Sequence, residues 1–147
     1  MNFIPLWKHN GWWMFDDPAT LWSIAAEQNV DLSALAMLYY EAYENEFDDE
    51  KMKWLPIRPE GAFRTNVVVQ AKASLRGYDV VTYSVHASPE CSPLSCNSVA
   101  EKIPTNRYCL LDAQEPAIAA LEGNQFDHTE PGPYRIIAVY ALESDGT

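Results

Sequence analysis

The chain has 147 residues, of which 48% are hydrophobic and 12% aromatic, and its formal net charge is −11. This length and composition suit one globular domain with its own core, and they exclude the disordered, collagen-like and fibrous classes. The acidic excess would repel a phosphate backbone or an anionic membrane surface, so we expect neither nucleic acid nor a membrane as a partner.

The first predicted element is an N-terminal β-hairpin. Phe3–Trp7 and Trp12–Phe15 flank Asn10-Gly11, a dipeptide preferred in two-residue type I′ turns. Successive side chains of a strand point to opposite faces, so Trp12 and Trp13 are expected to lie on different faces. One of them would then belong to the core, and the other would be available to a partner.

Two helices are predicted next. Asp17 caps the first, which ends near Asn29, a residue suited to the left-handed conformation. The second begins at Asp31 and buries a stripe at helical spacing. The stripe consists of Leu32, Leu35, Ala36, Tyr39 and Tyr43. Six of the 21 acidic residues follow in Glu41–Glu50, and this tail is expected to fray because negative charge opposes the dipole at a helix C-terminus.

The middle of the chain is predicted to be rich in β-structure. Val67–Val69 and Val80–Val85 are strand candidates, with Arg76-Gly77 as a break between them. Ser95 is expected to cap a short helix that runs to Lys102, and Tyr108–Leu111 has the composition of a short buried strand.

The last two predicted elements have the clearest patterns. Asp112 to Glu115 resembles a capping box at the start of a helix, and Gly123 is suited to the position just after the helix. Tyr134–Leu142 is the strongest β-strand pattern in the chain.

Together these elements predict one α+β domain over residues 1–147. We expect a mostly antiparallel sheet with three to four helices packed on one face and an N-terminal β-hairpin. The proline-containing loop Lys51–Gly61 is a possible junction between an N-terminal subunit (1–50) and a C-terminal β-rich subunit (62–143).

The number of cysteines helps to predict the cellular compartment. There are three, an odd number, and the N-terminus lacks the basic and apolar regions of a signal peptide. No stretch approaches the ~18 consecutive apolar residues of a membrane-spanning helix. We therefore expect free thiols in a reducing, cytoplasmic setting.

The segment His86–Asn97 has the densest set of reactive side chains. A zinc site would draw on His86, Cys91, Cys96 and Cys109, but their spacing fits no standard zinc motif, and we expect no metal. A helix capped by Ser95 would place Cys96 at a helix N-terminus, where its thiolate is favoured, with His86 or His128 as a base. The alternative is a proline-braced structural loop with small buried thiols.

The acidic run offers a different kind of site. At helical spacing Glu41, Glu44 and Asp48 share one face. Such a face is either simply solvated or suited to a basic protein partner, which the net charge would attract over a distance.

The function we predict is that of a small protein-interaction module, such as an inhibitor, an immunity-type factor or a regulatory protein. Its partner-binding residues would be Trp12, Trp13, Glu41, Glu44 and Asp48. The chain has no dinucleotide-binding, P-loop, serine-hydrolase, zinc-protease or kinase motif, so we expect no cofactor and favour a non-enzyme. The alternative is a small Cys/His-dependent enzyme or metal-binding protein centred on His86–Asn97.

Overall fold

A computed structural model of the protein describes residues 18–34, 37–57, 72–82, 92–96 and 99–142. The predicted N-terminal hairpin, with Trp12 and Trp13, and the predicted strand Val67–Val69 lie outside these residues. None of the helices in the described ranges has the length and apolar character needed to cross a bilayer.

The described residues contain helices and four β-strands. The helices are α1 (Pro18–Glu27), the single-turn α2 (Pro93–Cys96) and α3 (Gln114–Glu122), with short 3₁₀ turns at Leu32–Ala34 and Val99–Glu101. The strands are β1 (Leu38–Asp48), β2 (Lys53–Pro56), β3 (Ala73–Thr82) and β4 (Tyr134–Leu142).

All four strands form one antiparallel sheet in the order β2-β1-β4-β3. The predicted fold, with three to four helices packed on one face, is wrong in the number of its helices. Within the described ranges only α1 and α3 exceed a single turn. The strand β4 has the predicted bounds, and its first six residues are buried between its two neighbours.

The largest error concerns the second predicted helix. Leu38–Asp48 is a strand, paired with β4 over Leu38↔Ala141 to Phe47↔Tyr134. The helical spacing of Tyr39 and Tyr43 is compatible with a strand as well, since both lie on one face of β1. Aromatic side chains pack well on a pleated surface, and this long-range pairing outweighs a local helical pattern. The expected fraying of a helix end is therefore wrong too.

The first predicted helix is confirmed. It begins at Pro18, buries Ile24 and Ala25, and is followed by Asn29 in the left-handed conformation with φ 54°. Proline suits the first helical position because its missing N–H is not needed there.

The predicted start of α3 is wrong, whereas Gly123 directly follows the helix as predicted. The helix starts at Gln114, and its N-cap residue is Ala113, with no side-chain capping bond, so Asp112 forms no capping box. Gly123 has φ −80°, and the left-handed residue is Asn124, with φ 56°.

The main hydrophobic core lies between α3 and one face of the sheet, which we call the core face. Ala117, Ala120 and Leu121 of α3 pack in one cluster with Val80 and Ile136 of the strands. On the opposite face Val81, Ile137 and Val139 are buried with Leu110. The sheet is thus apolar on both sides where β3 and β4 pair.

The strand β3 also differs from its prediction. It begins at Ala73, and Gly77 lies within it at a bulge rather than in a break between strands. The predicted strand Tyr108–Leu111 is reduced to a single bridge between Leu111 and Tyr78. Glycine permits this bulge because its φ is 144°, a value that other residues rarely adopt.

Candidate functional site

The core face is open at the end where β1 begins and β4 ends. There Tyr140 of β4 pairs with Tyr39 of β1 on one side and with Leu75 of β3 on the other. In the next row Glu41 and Tyr78 flank Ala138. We call these five side chains the tyrosine–glutamate patch; it comprises Tyr39, Glu41, Leu75, Tyr78 and Tyr140.

A single carboxylate lies between two phenols in this patch. The Tyr39 hydroxyl donates to Glu41 Oε1 at 3.3 Å, and the Tyr140 hydroxyl donates to Glu41 Oε2 at 3.4 Å. The two rings are 5.9 Å apart between centroids and are tilted by 38°. This is a preferred aromatic geometry, and it holds the hydroxyls near the carboxylate.

The electrostatics of the patch keep both phenols protonated. The pKa of Tyr39 is raised, first by partial burial and then by the nearby Glu41 carboxylate. The pKa of Tyr140 is raised by the same causes in the same order, with a further contribution from Tyr78. The two hydroxyls therefore remain hydrogen-bond donors at and well above neutral pH.

The patch combines this carboxylate with exposed apolar surface. Leu75 is 45% exposed, and Glu41 is also exposed. At the same end of the sheet, on the opposite face, Leu38 and Tyr40 are 46% and 40% exposed. Large apolar side chains open to solvent and grouped at one end of a sheet are typical of a contact surface.

The predicted grouping of Glu41, Glu44 and Asp48 on one helical face is wrong. The segment is extended, and an irregularity between Ala42 and Glu46 interrupts its pairing with β4. Of the three residues, only Glu41 belongs to the patch.

Two other carboxylates of the acidic run, those of Asp48 and Glu46, are engaged in the fold. Asp48 Oδ1 accepts the backbone N–H groups of Glu50 at 3.0 Å and Lys51 at 2.9 Å, which stabilises the turn into β2. Glu46 accepts a charged hydrogen bond of 3.0 Å from Arg135, whose side chain is buried. These residues have structural roles.

The predicted reactive thiol site is only partly described. His86, Cys91 and Asn97 lie outside the described residues. The predicted helix Ser95–Lys102 is wrong: α2 ends at Cys96, so this residue is not at a helix N-terminus and the argument from the helix dipole for a thiolate no longer applies.

The two remaining candidates of that site are solvent-facing. Cys109 is an exposed free thiol, and His128 is exposed, with its Nε2 3.5 Å from Asp127 Oδ1. In the part of the chain that the structure describes, no three His, Cys, Asp or Glu side chains are grouped as a metal site would require.

A shallow cleft beside His128 has a volume of about 240 Å³. Lys102, Gln125 and Asp127 contribute polar groups to it, and Val99 and Ile103 form its apolar part. This volume is below the roughly 300–1,000 Å³ of sites that enclose small ligands. The cleft therefore gives little support to a buried substrate site.

The tryptophans that the structure describes have different roles. Trp54 packs at 5.7 Å from Tyr43 and 5.1 Å from Phe47, and its Nε1 donates to Glu122, so it belongs to the fold. Trp22 on α1 is 55% exposed.

No family model matches the chain, and no curated protein or solved structure is significantly similar to it. Of the five residues of the patch, only Glu41 is predicted from the sequence as a site residue; Tyr39, Leu75, Tyr78 and Tyr140 are not. Every second side chain of a strand shares a face, so a strand assignment for Leu38–Asp48 would place Tyr39 and Glu41 together, whereas their pairing with Tyr140 depends on the register of β1 against β4.

Proposed function

We propose that the protein is a protein-interaction module of the inhibitor, immunity-type or regulatory kind, and that the tyrosine–glutamate patch binds a basic surface of its partner. The observation that carries the proposal is the Glu41 carboxylate, placed between the hydroxyls of Tyr39 and Tyr140 on an open end of the sheet. A cytoplasmic location belongs to the same proposal, because the exposed thiol of Cys109 suits a reducing compartment.

The chemistry of the patch favours lysine and arginine side chains of a partner. An ionised carboxylate has about four acceptor positions, and the two long hydrogen bonds from the tyrosines leave acceptor capacity at Glu41. The adjacent tyrosine rings attract cations through their faces. Tyrosine also adds rigid contact area at a low cost in side-chain entropy.

The charge of the whole chain supports the same partner class. A net charge of −11 attracts a basic protein before contact and disfavours acidic competitors. Leu75, beside Tyr140, adds apolar area that would be desolvated on binding. Charge would then set the rate and selectivity of association, and the aromatic and apolar contacts would set the lifetime of the complex.

The substitution Glu41→Gln tests the proposal. Proteins that bind the purified wild-type chain are captured from a lysate of the source cells, identified, and remeasured as purified pairs by calorimetry. We expect a basic partner whose affinity falls about tenfold or more in Glu41→Gln, since charged hydrogen bonds contribute about 1.5–3 kcal/mol. Its association rate should also fall between low salt and 300 mM NaCl.

The matched control is Glu50→Gln, which removes the same charge from an exposed residue in the turn that follows β1. This variant should bind with nearly the wild-type affinity. Equal losses of affinity in Glu41→Gln and Glu50→Gln would show that only the net charge matters. A partner that binds Glu41→Gln as well as it binds the wild type would refute the patch as its binding site.

A further inference from the structure

Two arginines converge on one tyrosine next to the bulge in β3. The guanidinium carbon of Arg76 lies 4.9 Å from the centroid of the Tyr108 ring, and that of Arg107 lies 4.8 Å from it. Both guanidinium groups also donate a hydrogen bond to the Tyr108 hydroxyl oxygen. We call Arg76, Arg107 and Tyr108 the arginine–tyrosine clamp.

The loop that carries Arg107 and Tyr108 is fastened to β3 by Asn106. Its side-chain oxygen accepts the backbone N–H groups of Tyr108 at 2.9 Å and Leu110 at 3.3 Å. Its Nδ2 donates to the Arg76 carbonyl at 2.8 Å and to Asp112 Oδ1 at 3.1 Å. One amide thus links the strand arginine to the loop arginine.

Backbone contacts fasten the other end of the loop. Tyr78 and Leu111 exchange two hydrogen bonds of 2.8 and 2.9 Å. A Cβ atom on Gly77 would lie 2.7 Å from Leu110 Cβ and from the Leu111 carbonyl oxygen, so the loop packs directly on the strand. The geometry of the clamp is therefore set before any ligand arrives, which lowers the cost of binding.

The charge of the clamp is unusual for this chain. The chain has 10 Lys and Arg residues against 21 Asp and Glu, yet two of the ten lie side by side here. The ion pairs between described residues involve Lys51, His128 and Arg135, and neither arginine of the clamp takes part in one. The Asp112 carboxylate beside the loop accepts a hydrogen bond from Asn106.

The clamp retains unused donors. A guanidinium has five N–H donors in a planar fork, and the Tyr108 oxygen takes one bond from each arginine. Tyr108 is 39% exposed, so the group is open to solvent. Because the phenol oxygen already accepts two bonds, its own proton is available to donate outward.

We propose that the arginine–tyrosine clamp binds the phosphate group of a small phosphorylated molecule. Two guanidinium forks and one phenol O–H match the several acceptor oxygens and the negative charge of a phosphate. An anion between them would also relieve the repulsion between two neighbouring cations. This site is separate from the tyrosine–glutamate patch, and it attracts the opposite charge.

A titration with inorganic phosphate, followed by NMR of the labelled full chain at constant ionic strength and pH 7.5, tests the proposal. We expect saturable shifts of the amide signals of Arg76, Arg107 and Tyr108 over a millimolar range. Acetate and chloride at equal ionic strength should produce much smaller shifts, because they offer fewer acceptor oxygens or none in the required geometry.

Two variants separate the geometry of the clamp from its charge. Arg107→Gln should weaken phosphate binding about tenfold or more, and Arg107→Lys should weaken it by a smaller but clear factor, because lysine keeps the charge and loses the fork. Lys102→Gln, which removes a cation outside the clamp, should bind phosphate as the wild type does.

Shifts that do not saturate, equal shifts with acetate, or wild-type affinity in Arg107→Gln would each overturn the proposal. The Glu41→Gln variant should keep its phosphate affinity. The proposals for the clamp and for the tyrosine–glutamate patch can therefore be refuted independently. A phosphopeptide that binds while inorganic phosphate does not would also overturn the assignment to a small molecule.

Discussion

Asp79 on β3 has the most perturbed carboxyl group among the described residues. Its Oδ1 accepts the backbone N–H of Val80 at 2.9 Å and the Ser92 hydroxyl at 2.6 Å. Burial raises the pKa of Asp79 to about 6, and these two hydrogen bonds only partly oppose that rise. Relative to the unfolded chain, the folded protein therefore favours the protonated, neutral acid, which predominates below pH ~6.

This pKa gives stability a defined dependence on pH. An unfolded Asp titrates near 3.9, so the folded state binds the proton more tightly between pH ~4 and ~6. The contribution of Asp79 is fully present below pH ~4 and is lost as the pH rises through ~6. A shift from 3.8 to about 6 corresponds to roughly 3 kcal/mol at most.

The substitution Asp79→Asn should remove this dependence, because an amide keeps an acceptor for Val80 and Ser92 but does not ionise. We expect the variant to exceed the wild type in unfolding free energy by about 1–3 kcal/mol at pH 7.5 and to match it more closely near pH 4. Urea denaturation at several pH values measures the difference.

Glu115→Gln, at an exposed position of α3, is the control and should leave the wild-type pH dependence intact. If Asp79→Asn kept the same slope of stability between pH 4 and 6, another group would be the source of that slope. The raised pKa of Asp79 cannot be predicted from the sequence, because the environment of this carboxyl group includes Ser92, thirteen positions away.

At the scale of elements, the sequence predicts correctly those helices and strands that are determined by their own residues. Pro18 and Asn29 mark the ends of α1 because their backbone preferences suit those positions in any context. Tyr134–Leu142 was predicted because a dense run of β-favouring residues suits a central strand. These elements need little information from the rest of the chain.

The elements that depend on distant partners were predicted poorly. Leu38–Asp48 has apolar residues at both helical and strand spacing, and the pairing with β4 decides between them. The loop Asn106–Leu110 was missed for the same reason, since its shape depends on docking over Gly77. The candidate site lies in the first of these elements and the clamp depends on the second, so neither could be assembled from sequence alone.

A substitution at Gly77 tests whether the loop Asn106–Leu110 depends on close packing against β3. The substitution Gly77→Ala introduces a Cβ at 2.7 Å from two neighbouring atoms and at φ 144°. Strained backbone of this kind costs about 1–3 kcal/mol, and displacement of the loop adds to it. We expect a lower unfolding free energy by at least that amount, together with faster hydrogen exchange at Tyr78 and Leu111, whose mutual bonds fasten the loop.

Ser74→Ala, at a neighbouring partly buried position of β3, should change stability much less. Wild-type exchange rates at Tyr78 and Leu111 in Gly77→Ala would contradict the role given to this glycine. Because the clamp depends on the same docking, Gly77→Ala should also weaken phosphate binding.

At the scale of the whole molecule, negative and positive charges are concentrated in different places. Six acidic residues lie within Glu41–Glu50, whereas Arg76 and Arg107 come together in the clamp on another element. Binding of a basic partner would reduce the net negative charge, and binding of a phosphate would increase it. The two proposed ligands should therefore strengthen each other's binding slightly through the long-range field.

The net charge itself should limit the stability of the folded chain. At pH 7.5 a charge near −11 is concentrated in a compact molecule, and the unfolded chain relieves the repulsion by expanding. Raising NaCl from 10 to 150 mM shortens the screening length from about 30 to about 8 Å. We expect the melting temperature to rise by a few degrees, since about 1 kcal/mol corresponds to roughly 2–4 °C at this size.

The control for this effect is pH. Near pH 4.5, which is the isoelectric point of the sequence, the net charge is close to zero and the same salt change should leave the melting temperature almost unchanged. Scanning calorimetry at the two pH values and two salt concentrations gives all four numbers. An equal rise at both pH values would show that salt acts by ion binding or on apolar surface, and that self-repulsion does not limit the fold.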